Sequence, residues 1–198
     1  MIWNDKKIRE WASSGGIAPF DESLVNPSSV NLRTGYKIRF PLRRWYTKSC
    51  EPITMKTDPM DLWDIELTIP SAGIVIPAGG VALCCSLEYI RMPPDACGTL
   101  MSRSGTGRRL MEHLHAGFFE PDFHGQATFE FKNEGPWDMR LFVGDALVQL
   151  KLEQMTGVPE KSYLETGKYN GQVGATPHRA ERGSVTHHRR RGNNATSI

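Results

Sequence analysis

The stretch Gln126-Ala127-Thr128-Phe129-Glu130-Phe131-Lys132 alternates strictly between apolar and polar residues. This period of two is typical of a β-strand with one face on the core, so we expect Ala127, Phe129 and Phe131 to point inward. Glu130 then lies in the middle of the strand on the polar face, where a solvated carboxylate is the ordinary outcome. The pattern therefore predicts a strand, and the role of Glu130 must be inferred from the segments around it.

Further β-rich runs occur along the chain, separated by turns that contain many of its 19 glycines and 13 prolines. They cover residues 29–32, 36–40, 63–69, 74–76, 81–90, 99–101 and 146–152. The N-terminal segment predicts one short helix, capped by Asn4 or Asp5 and ended by Gly15-Gly16. For a chain of 198 residues, this pattern predicts a single mostly-β domain built as a barrel or sandwich.

The charge is distributed unevenly. The whole chain carries a net charge of +2, but residues 178–198 contain five arginines and one glutamate, a net +4, which leaves −2 for residues 1–177. We therefore expect a folded domain over residues 1–177 that does not bind nucleic acid, followed by a basic, disordered tail over residues 178–198.

The chain shows no membrane or export signal. Its longest uncharged apolar run, residues 72–85, is interrupted by proline and glycine and is too short to cross a bilayer as a helix. The first residues lack the apolar core of a secretory signal. The four cysteines show no Cys-x-x-Cys spacing, which favours small buried thiols in a reducing compartment. They are Cys50, Cys84, Cys85 and Cys97. A cytoplasmic protein is expected.

Three other segments carry groups suited to chemistry. Residues 101–109 combine hydroxyls, arginines and glycines, which suit phosphate oxygens, although the spacing of a Walker A loop is absent. Residues 115–125 place carboxylates and aromatics directly before the Glu130 strand, and residues 167–177 combine a cation, an aromatic ring, an amide and several glycines. Each segment taken separately is compatible with an ordinary loop.

Together and in this order, the segments resemble the dCTP deaminase branch of the trimeric dUTPase-like superfamily. The matching residues are Arg103-Ser104 with Arg108, Ala116-Gly117, Glu120-Pro121 through Gly125, Phe129-Glu130-Phe131 with Asn133, Gly144, Gln149-Leu150, Lys168-Tyr169, Gly171-Gln172 and Gly174. The resemblance implies a dUTPase-like distorted β-barrel and a homotrimer. It also implies active sites at the subunit interfaces, each covered by a C-terminal segment.

The resemblance implies that Glu130 is the general base and proton shuttle in the hydrolytic deamination of dCTP to dUTP and ammonia. Ser104 and the backbone carbonyl of Ala116 would hold the attacking water, and Arg108 would balance the charge of Glu130. The reaction itself needs such a group, because water must lose a proton to attack C4 while N3 and the departing ammonia must gain protons.

Substrate contacts are implied in the same way. Arg103, Lys168 and Gln172 would bind the triphosphate, with Mg²⁺ carried on the phosphates. Phe123 would pack against the deoxyribose, and Glu120 would accept a hydrogen bond from the 3′-hydroxyl. Further substrate-binding positions are Gly105, Thr106, Thr128, Gln149 and Tyr163. No zinc is expected, because the His-x-Glu and Pro-Cys-x-x-Cys signature of zinc deaminases is absent.

Three positions depart from the family pattern. Glu120 stands where the family has Asp, Gly105 replaces a second Ser, and the stretch from Arg108 to His115 is one residue short. A carboxylate one methylene longer shifts the nucleotide or makes room for a modified base, so a 5-substituted dCTP is also a candidate substrate.

Three alternatives remain open at this stage. The first is a bifunctional enzyme that gives dUMP and pyrophosphate, and the second is a dUTPase, which uses an Asp at the Glu120 position to orient water. Against a dUTPase alone stand Glu130 and the absence of a C-terminal Gly-Phe-Gly-Ser motif. The third is a nucleotide-binding regulatory protein without turnover, for which Glu120 and Gly105 are the support.

Overall fold

A ten-stranded antiparallel sheet forms the body of the computed structural model, which describes residues 1–42, 54–55, 57–58, 62–114 and 116–179. The strands of the described residues are β1 (Ile17–Ala18), β2 (Val25–Asn26), β3 (Ser29–Arg39), β4 (Leu67–Thr68), β5 (Ile74–Ile76), β6 (Val81–Arg91), β7 (Ala96–Ser102), β8 (Met111–His113), β9 (Phe118–Phe119), β10 (His124–Asn133), β11 (Met139–Leu141) and β12 (Ala146–Gln154). β5 and β11 form a separate two-stranded ribbon. The predicted mostly-β architecture is confirmed.

The helices are short. α1 (Asp5–Trp11) begins where the Asn4 side chain accepts a hydrogen bond from the Lys7 N–H. It continues into a wider turn over Ala12–Gly16, in which Gly15 leaves the helical conformation with a φ of 100°. The predicted N-terminal helix is therefore confirmed. Single helical turns also form at α2 (Ser104–Gly107) and α3 (Tyr163–Thr166), with a 3-10 turn at Glu22–Leu24.

β3 belongs to both halves of the sheet. The strand order is β8-β10-β6-β3-β12-β7-β9, with β1 on β6, and β2 and β4 on β3. The first part of β3 pairs with β12, where Leu32 lies opposite Val148, and its second part pairs with β6, where Ile38 lies opposite Cys84. The sheet therefore turns at β3, and its two halves share one apolar core.

The core confirms the inward face predicted for β10. Ala127, Phe129 and Phe131 are fully buried and belong to one cluster with side chains of the other half-sheet. The largest fully buried members of this cluster also include Ile8, Leu32, Ile38, Ile76, Ile90, Met92, Leu100, Met111, Leu141 and Leu150. Both half-sheets thus bury their apolar faces against each other, which is the main source of stability.

Three predicted strands differ from the structure. Residues 29–32 and 36–40 form one strand, because Gly35 between them allows a close approach to β6: a Cβ there would lie 2.5 Å from the Ser86 carbonyl oxygen. The prediction of a strand over 63–69 was wrong in its extent, since only Leu67–Thr68 forms one and Trp63 makes an isolated bridge to Pro41.

A buried ion pair ties β3 to β6. Glu88 is 1% exposed, and it accepts hydrogen bonds from the Arg33 Nε at 2.7 Å and from the Arg33 backbone N–H at 2.9 Å. Bonding to both carboxylate oxygens compensates for taking the charge out of water. The pair therefore fixes the register of the two strands close to the bend in β3.

Three further predictions concern the cysteines, the C-terminal tail and membrane spans. Cys84, Cys85 and Cys97 are free thiols, whereas Cys50 and residues 180–198 of the predicted tail lie outside the described residues. His178 and Arg179 are described, and both make hydrogen bonds to the folded domain. In the ranges that the structure covers, no helix has the length and apolar character needed to cross a bilayer.

Candidate active site

The polar face of β10 opens onto a cavity of about 500 Å³. β10 contributes Thr128 and Glu130, and the loop before it contributes Ala116, Glu120 and Phe123. Tyr163, Tyr169 and Gln172 come from the C-terminal part of the chain, and much of the remaining wall is apolar. The cavity thus collects seven of the predicted site residues. They are Glu130, Ala116, Glu120, Phe123, Thr128, Tyr163 and Gln172.

The Glu130 carboxylate is largely enclosed. Its side chain is 27% exposed, and its Oε2 atom is buried with no hydrogen-bond partner among the described residues. The hydroxyl of Thr128, two residues earlier on the same face, is also buried and unpaired within those ranges. Because buried polar atoms are normally hydrogen-bonded, both groups need a partner, and the Thr128 hydroxyl is available to a ligand or to bound water.

A residue that the sequence reasoning missed lies directly behind Glu130. The Nε2 atom of the fully buried His113 is 3.3 Å from Glu130 Oε2. The alternation of Met111, Glu112 and His113 carries the signal that could have found it, since it places His113 on the same side of β8 as the buried Met111. A histidine on the core side needs a polar partner, which here is Glu130.

The loop that carries Ala116 is held close to β7. The Leu100 N–H donates to the Gly117 carbonyl oxygen at 2.8 Å, and β9 pairs with β7 through Phe119 and Gly98. Gly117 is required, because a Cβ there would lie 2.5 Å from the Leu100 Cβ. This anchoring keeps Ala116 beside the cavity, as the proposed water contact needs.

An aromatic wall closes the cavity on the side of Phe123. The Phe123 ring is 5.0 Å from that of Phe119 and 6.1 Å from that of Tyr163, measured between centroids. Asp122 adopts a φ of 64°, and its carboxylate accepts a hydrogen bond from the Ser162 hydroxyl at 2.7 Å. The segment that carries Tyr163 is therefore attached to the Phe123 loop.

Glu120 is the second carboxylate on the cavity. Its side chain is exposed, in contrast to the enclosed Glu130. Two acidic groups with different degrees of exposure thus line one space, so that they can act on different parts of a bound molecule.

The C-terminal segment folds over the same subunit. The Gly171 N–H donates to the His124 carbonyl oxygen, and Gln172 forms a parallel bridge with Gly125 of β10. Lys168 lies in this segment without lining the cavity, and its ammonium group is 5.7 Å from the centroid of the Tyr169 ring.

The predicted phosphate loop faces a second cavity, of about 490 Å³. Arg103, Gly105 and Thr106 line it, together with Arg109 and Arg140 among others. Arg103 Nη1 donates to the Ala146 carbonyl oxygen at 2.6 Å and the Thr106 hydroxyl to that of Leu147 at 2.7 Å, so α2 is held on β12.

In addition to Lys168, three predicted site residues line neither of these cavities. Ser104 and Arg108 are exposed on the α2 turn. Gln149 lies on β12, between the buried Val148 and Leu150, and its Oε1 accepts a hydrogen bond from the Ser29 hydroxyl at 2.9 Å. One subunit therefore brings Glu130 and Ala116 together, but does not bring Ser104 and Arg108 to them.

The thiols near β10 are not nucleophiles. Burial raises the pKa of Cys84 far above its usual range, and the neighbouring Cys85 adds to this effect. Burial also raises the pKa of Cys85, opposed by backbone hydrogen bonds. Both therefore remain protonated near neutral pH, and a protonated thiol neither attacks a substrate nor binds a metal. Within the described part of the chain, no three His, Cys, Asp or Glu side chains are grouped closely enough to hold a metal ion.

Comparisons with known proteins identify the family of this chain. A family model described as dCTP deaminase-like matches residues 2–155. Among curated proteins, a "dCTP deaminase, dUMP-forming" from Mycolicibacterium paratuberculosis is 32% identical over 197 residues, covering 94% of this chain and 99% of the relative. A protein of the same name from Mycobacterium ulcerans is 36% identical over 191 residues, covering 91% and 96%.

A solved structure supports the fold. The 2′-deoxycytidine 5′-triphosphate deaminase from Agrobacterium tumefaciens superposes with a TM-score of 0.60 at 20% identity, over 77% of this chain and 48% of that one. The chain thus spans about half of that protein, and the likeness confirms the predicted dUTPase-like fold. Since a family model covers most of its length and the curated relatives match almost end to end, the chain belongs to the dCTP deaminase-like family.

Proposed function

We propose that this protein hydrolyses dCTP in two steps, first to dUTP and ammonia and then to dUMP and pyrophosphate. The observation that carries the proposal is the enclosed Glu130 carboxylate, whose side chain is only 27% exposed and which lines a cavity with largely apolar walls. A cavity of about 500 Å³ is within the range of small-molecule sites. The relatives named as dUMP-forming favour dUMP over dUTP as the final product.

The first step uses Glu130 as general base. The oxygen of a water molecule forms a bond to C4 of cytosine while Glu130 takes one of its protons and passes it to N3. Glu130 then takes the remaining proton of the new C4 hydroxyl and gives it to the 4-amino group, so that C4 becomes a carbonyl as its bond to that nitrogen breaks and ammonia leaves. Ala116 lines the same cavity as Glu130, which supports this step because its carbonyl oxygen can orient the water.

The second step uses Glu120. A second water attacks the α-phosphorus of dUTP, the bond from that phosphorus to the bridging oxygen breaks, and pyrophosphate leaves. Glu120 orients this water as the family's Asp does, and its exposure at the rim of the cavity suits a group that acts on phosphate rather than on the base.

The complete site needs more than one subunit, so we include a homotrimer in the proposal. Ser104 and Arg108 do not line the Glu130 cavity of their own chain. In the proposal, they reach it from a neighbouring subunit, with Arg103 directed at the triphosphate. Exposed apolar side chains near both segments support such an interface. They are Leu110 (45% exposed), Leu114 (49%) and Phe118 (60%).

Mg²⁺ enters bound to the triphosphate. The donor set supports this route, because the described residues offer no carboxylate cluster for a resident ion, whereas Mg²⁺ commonly binds through substrate phosphates. When bound, the ion offsets phosphate charge. The free thiols of Cys84, Cys85 and Cys97 support a reducing compartment, so the cytoplasm remains the proposed location.

Chromatography of products, with a parallel ammonia assay, tests the function. Purified protein is incubated separately with dCTP, dUTP and 5-methyl-dCTP in the presence of Mg²⁺. We expect ammonia, dUMP and pyrophosphate from dCTP, no ammonia from Glu130→Gln, and accumulation of dUTP with Glu120→Gln. Turnover of dUTP without release of ammonia from dCTP would identify a dUTPase, and binding without any product would identify a regulatory protein. A preference for 5-methyl-dCTP would assign the substituted substrate.

A further inference from the structure

His113 is enclosed by the aromatic core behind the cavity. It is the last residue of β8, lies opposite Phe131 of β10, and is 0% exposed. Its ring contacts Phe129 and Phe131 edge-on, at centroid distances of 6.2 and 6.0 Å. These contacts fix the plane of the imidazole, so that its nitrogens cannot turn freely to other partners.

Glu130 is the acidic residue recorded at ion-pair distance from this ring in the described ranges. Nε2 is 3.3 Å from Glu130 Oε2, and Nδ1 has no hydrogen-bond partner there. The pair is within ion-pair distance but not aligned as a hydrogen bond, which is common for catalytic contacts that tighten only when substrate binds. Because this buried imidazole has no other recorded partner, we expect its role to be an interaction with Glu130.

The ring carbon next to Nε2 faces the loop that carries Ala116. A Cβ placed on Gly117 would lie 3.2 Å from His113 Cε1, so the ring packs against the residue that follows Ala116. Since Cε1 is bonded to Nε2, adjacent atoms of the His113 ring face the carboxylate of Glu130 and the backbone of the Ala116 loop. Its position can set the distance between the base and the carbonyl that would orient the water.

We propose that His113 is a positioning residue for Glu130, carrying its proton on Nε2 and donating it as a hydrogen bond to Oε2. The other carboxylate oxygen, Oε1, is then left to take the proton of the attacking water. A neutral imidazole has one N–H donor and one acceptor, which matches one carboxylate oxygen at Nε2 and an unpaired Nδ1 in the apolar core. The kinetic part of this proposal rests on the deaminase function, but the hydrogen bond does not.

The tautomer is tested without turnover. In protein selectively labelled with ¹⁵N-histidine, long-range ¹H–¹⁵N spectra distinguish a protonated Nε2 from a protonated Nδ1. His113→Gln removes one set of signals and thereby assigns them. We expect the Nε2–H form in the wild type. The Nδ1–H form would turn a lone pair toward the carboxylate and would overturn the proposal, whatever the enzyme does with dCTP.

Steady-state kinetics then test positioning. His113→Phe keeps an aromatic ring between Phe129 and Phe131 but removes the donor, and we expect kcat for ammonia release to fall about 100-fold, as for a misplacement near 1 Å, with KM changed less than about threefold. His113→Gln offers an amide N–H near the position of Nε2 and should recover kcat to within about tenfold of the wild type.

A packing control separates positioning from stability. Ile8→Val removes a methyl group from the buried face of α1, an element that contributes no residue to the cavity, so it should lower the melting temperature while kcat changes less than about threefold. Equal loss of kcat in His113→Phe and His113→Gln, or in Ile8→Val, would overturn the proposal. If His113→Phe does not fold, the comparison of His113→Gln with Ile8→Val decides. A wild type that releases no ammonia would overturn the deaminase function alone, and the tautomer would still decide the hydrogen bond.

Discussion

Gln126 and Gln172 pair reciprocally across the start of β10. The side-chain amide of Gln172 donates to the Gln126 carbonyl oxygen at 2.7 Å, and the Gln126 N–H donates to the Gln172 carbonyl oxygen at 2.9 Å. The Gln126 side chain in turn accepts a hydrogen bond from the Gly174 N–H at 2.7 Å. The C-terminal segment is thus joined to the strand that carries Glu130, four residues away from that carboxylate.

Replacement of Gln172 should weaken substrate binding more than catalysis. Gln172→Ala removes one hydrogen bond and leaves the Gln126 carbonyl without that donor, a loss of about 1 to 1.5 kcal/mol. We expect KM for dCTP to rise about tenfold, with kcat less affected, in assays of initial rate. The neighbouring Val173→Ala is the control, because that side chain is 69% exposed, and an equal effect there would refute the assigned role of Gln172.

Glycine at position 174 should be needed for the attachment of the C-terminal segment. Gly174 has a φ of 79°, and a Cβ there would lie 2.5 Å from Glu66 Oε2, the atom that accepts the Ala175 N–H at 2.9 Å. Gly174→Ala therefore combines backbone strain of about 1 to 2 kcal/mol with displacement of that carboxylate. We expect faster amide hydrogen exchange over residues 169–176, measured by mass spectrometry.

Gly171→Ala separates the effect of backbone strain from that of displacing the Glu66 carboxylate. Gly171 has a similar φ of 74°, but nothing lies within 4 Å of a Cβ there. It should therefore carry the backbone strain alone and increase exchange less than Gly174→Ala. Equal exchange in both variants would show that the contact with Glu66 does not hold the segment.

The sequence predicts the elements of the fold better than their spatial relations. The alternation along β10 identified the inward face of Phe129 and Phe131, because period two is a local property. In contrast, Gly35 was interpreted as a break between two strands, although it permits β3 to pass close to β6. That role depends on a neighbouring strand, and no local pattern encodes it.

At the candidate site too, the sequence identifies individual residues better than their spatial relations. Family motifs identified Glu130, Ala116 and Phe123, which line one cavity. They did not identify His113, because the alternation over the three residues of β8 places it on the buried side but does not by itself distinguish a site residue from a core histidine. Nor could they show that Arg103 lines a different cavity from Glu130, since this depends on how the two halves of the sheet are joined at β3.

Loss of the buried Glu88 carboxylate should strongly destabilise the protein. Glu88→Ala leaves Arg33, whose side chain is 18% exposed, without its main partner, and removal of one member of a buried pair costs about 3 to 5 kcal/mol. We expect the melting temperature to fall by about 10 °C at a fixed protein concentration, measured by calorimetry.

An exposed ion pair provides the comparison for Glu88. Glu153, whose side chain is 39% exposed, pairs with Lys151 on the outer face of β12. Glu153→Ala should cost less than about 1 kcal/mol, because solvent screens an exposed pair. Similar melting temperatures for the two variants would contradict the assigned importance of the buried pair.

The thiols of Cys84 and Cys85 should resist alkylation as long as the protein is folded. Burial is the main cause that raises the pKa of both thiols in the folded protein, and only a thiolate reacts rapidly. At pH 8.5, about the pKa of a free thiol, the unfolded chain should react within minutes and the native protein far more slowly. Peptide mapping after iodoacetamide treatment follows each cysteine separately.

The same thiols give the stability a defined pH dependence. Because their pKa values are raised in the folded state, the native protein keeps both protons at a pH where the unfolded chain loses them. The free energy of unfolding should therefore fall as pH rises above about 8.5, and it should be insensitive to these groups below that value. Urea titrations between pH 7 and 10 measure the slope, and the double variant Cys84→Ala, Cys85→Ala should reduce it. An unchanged slope in that variant would show that other groups control the alkaline limb.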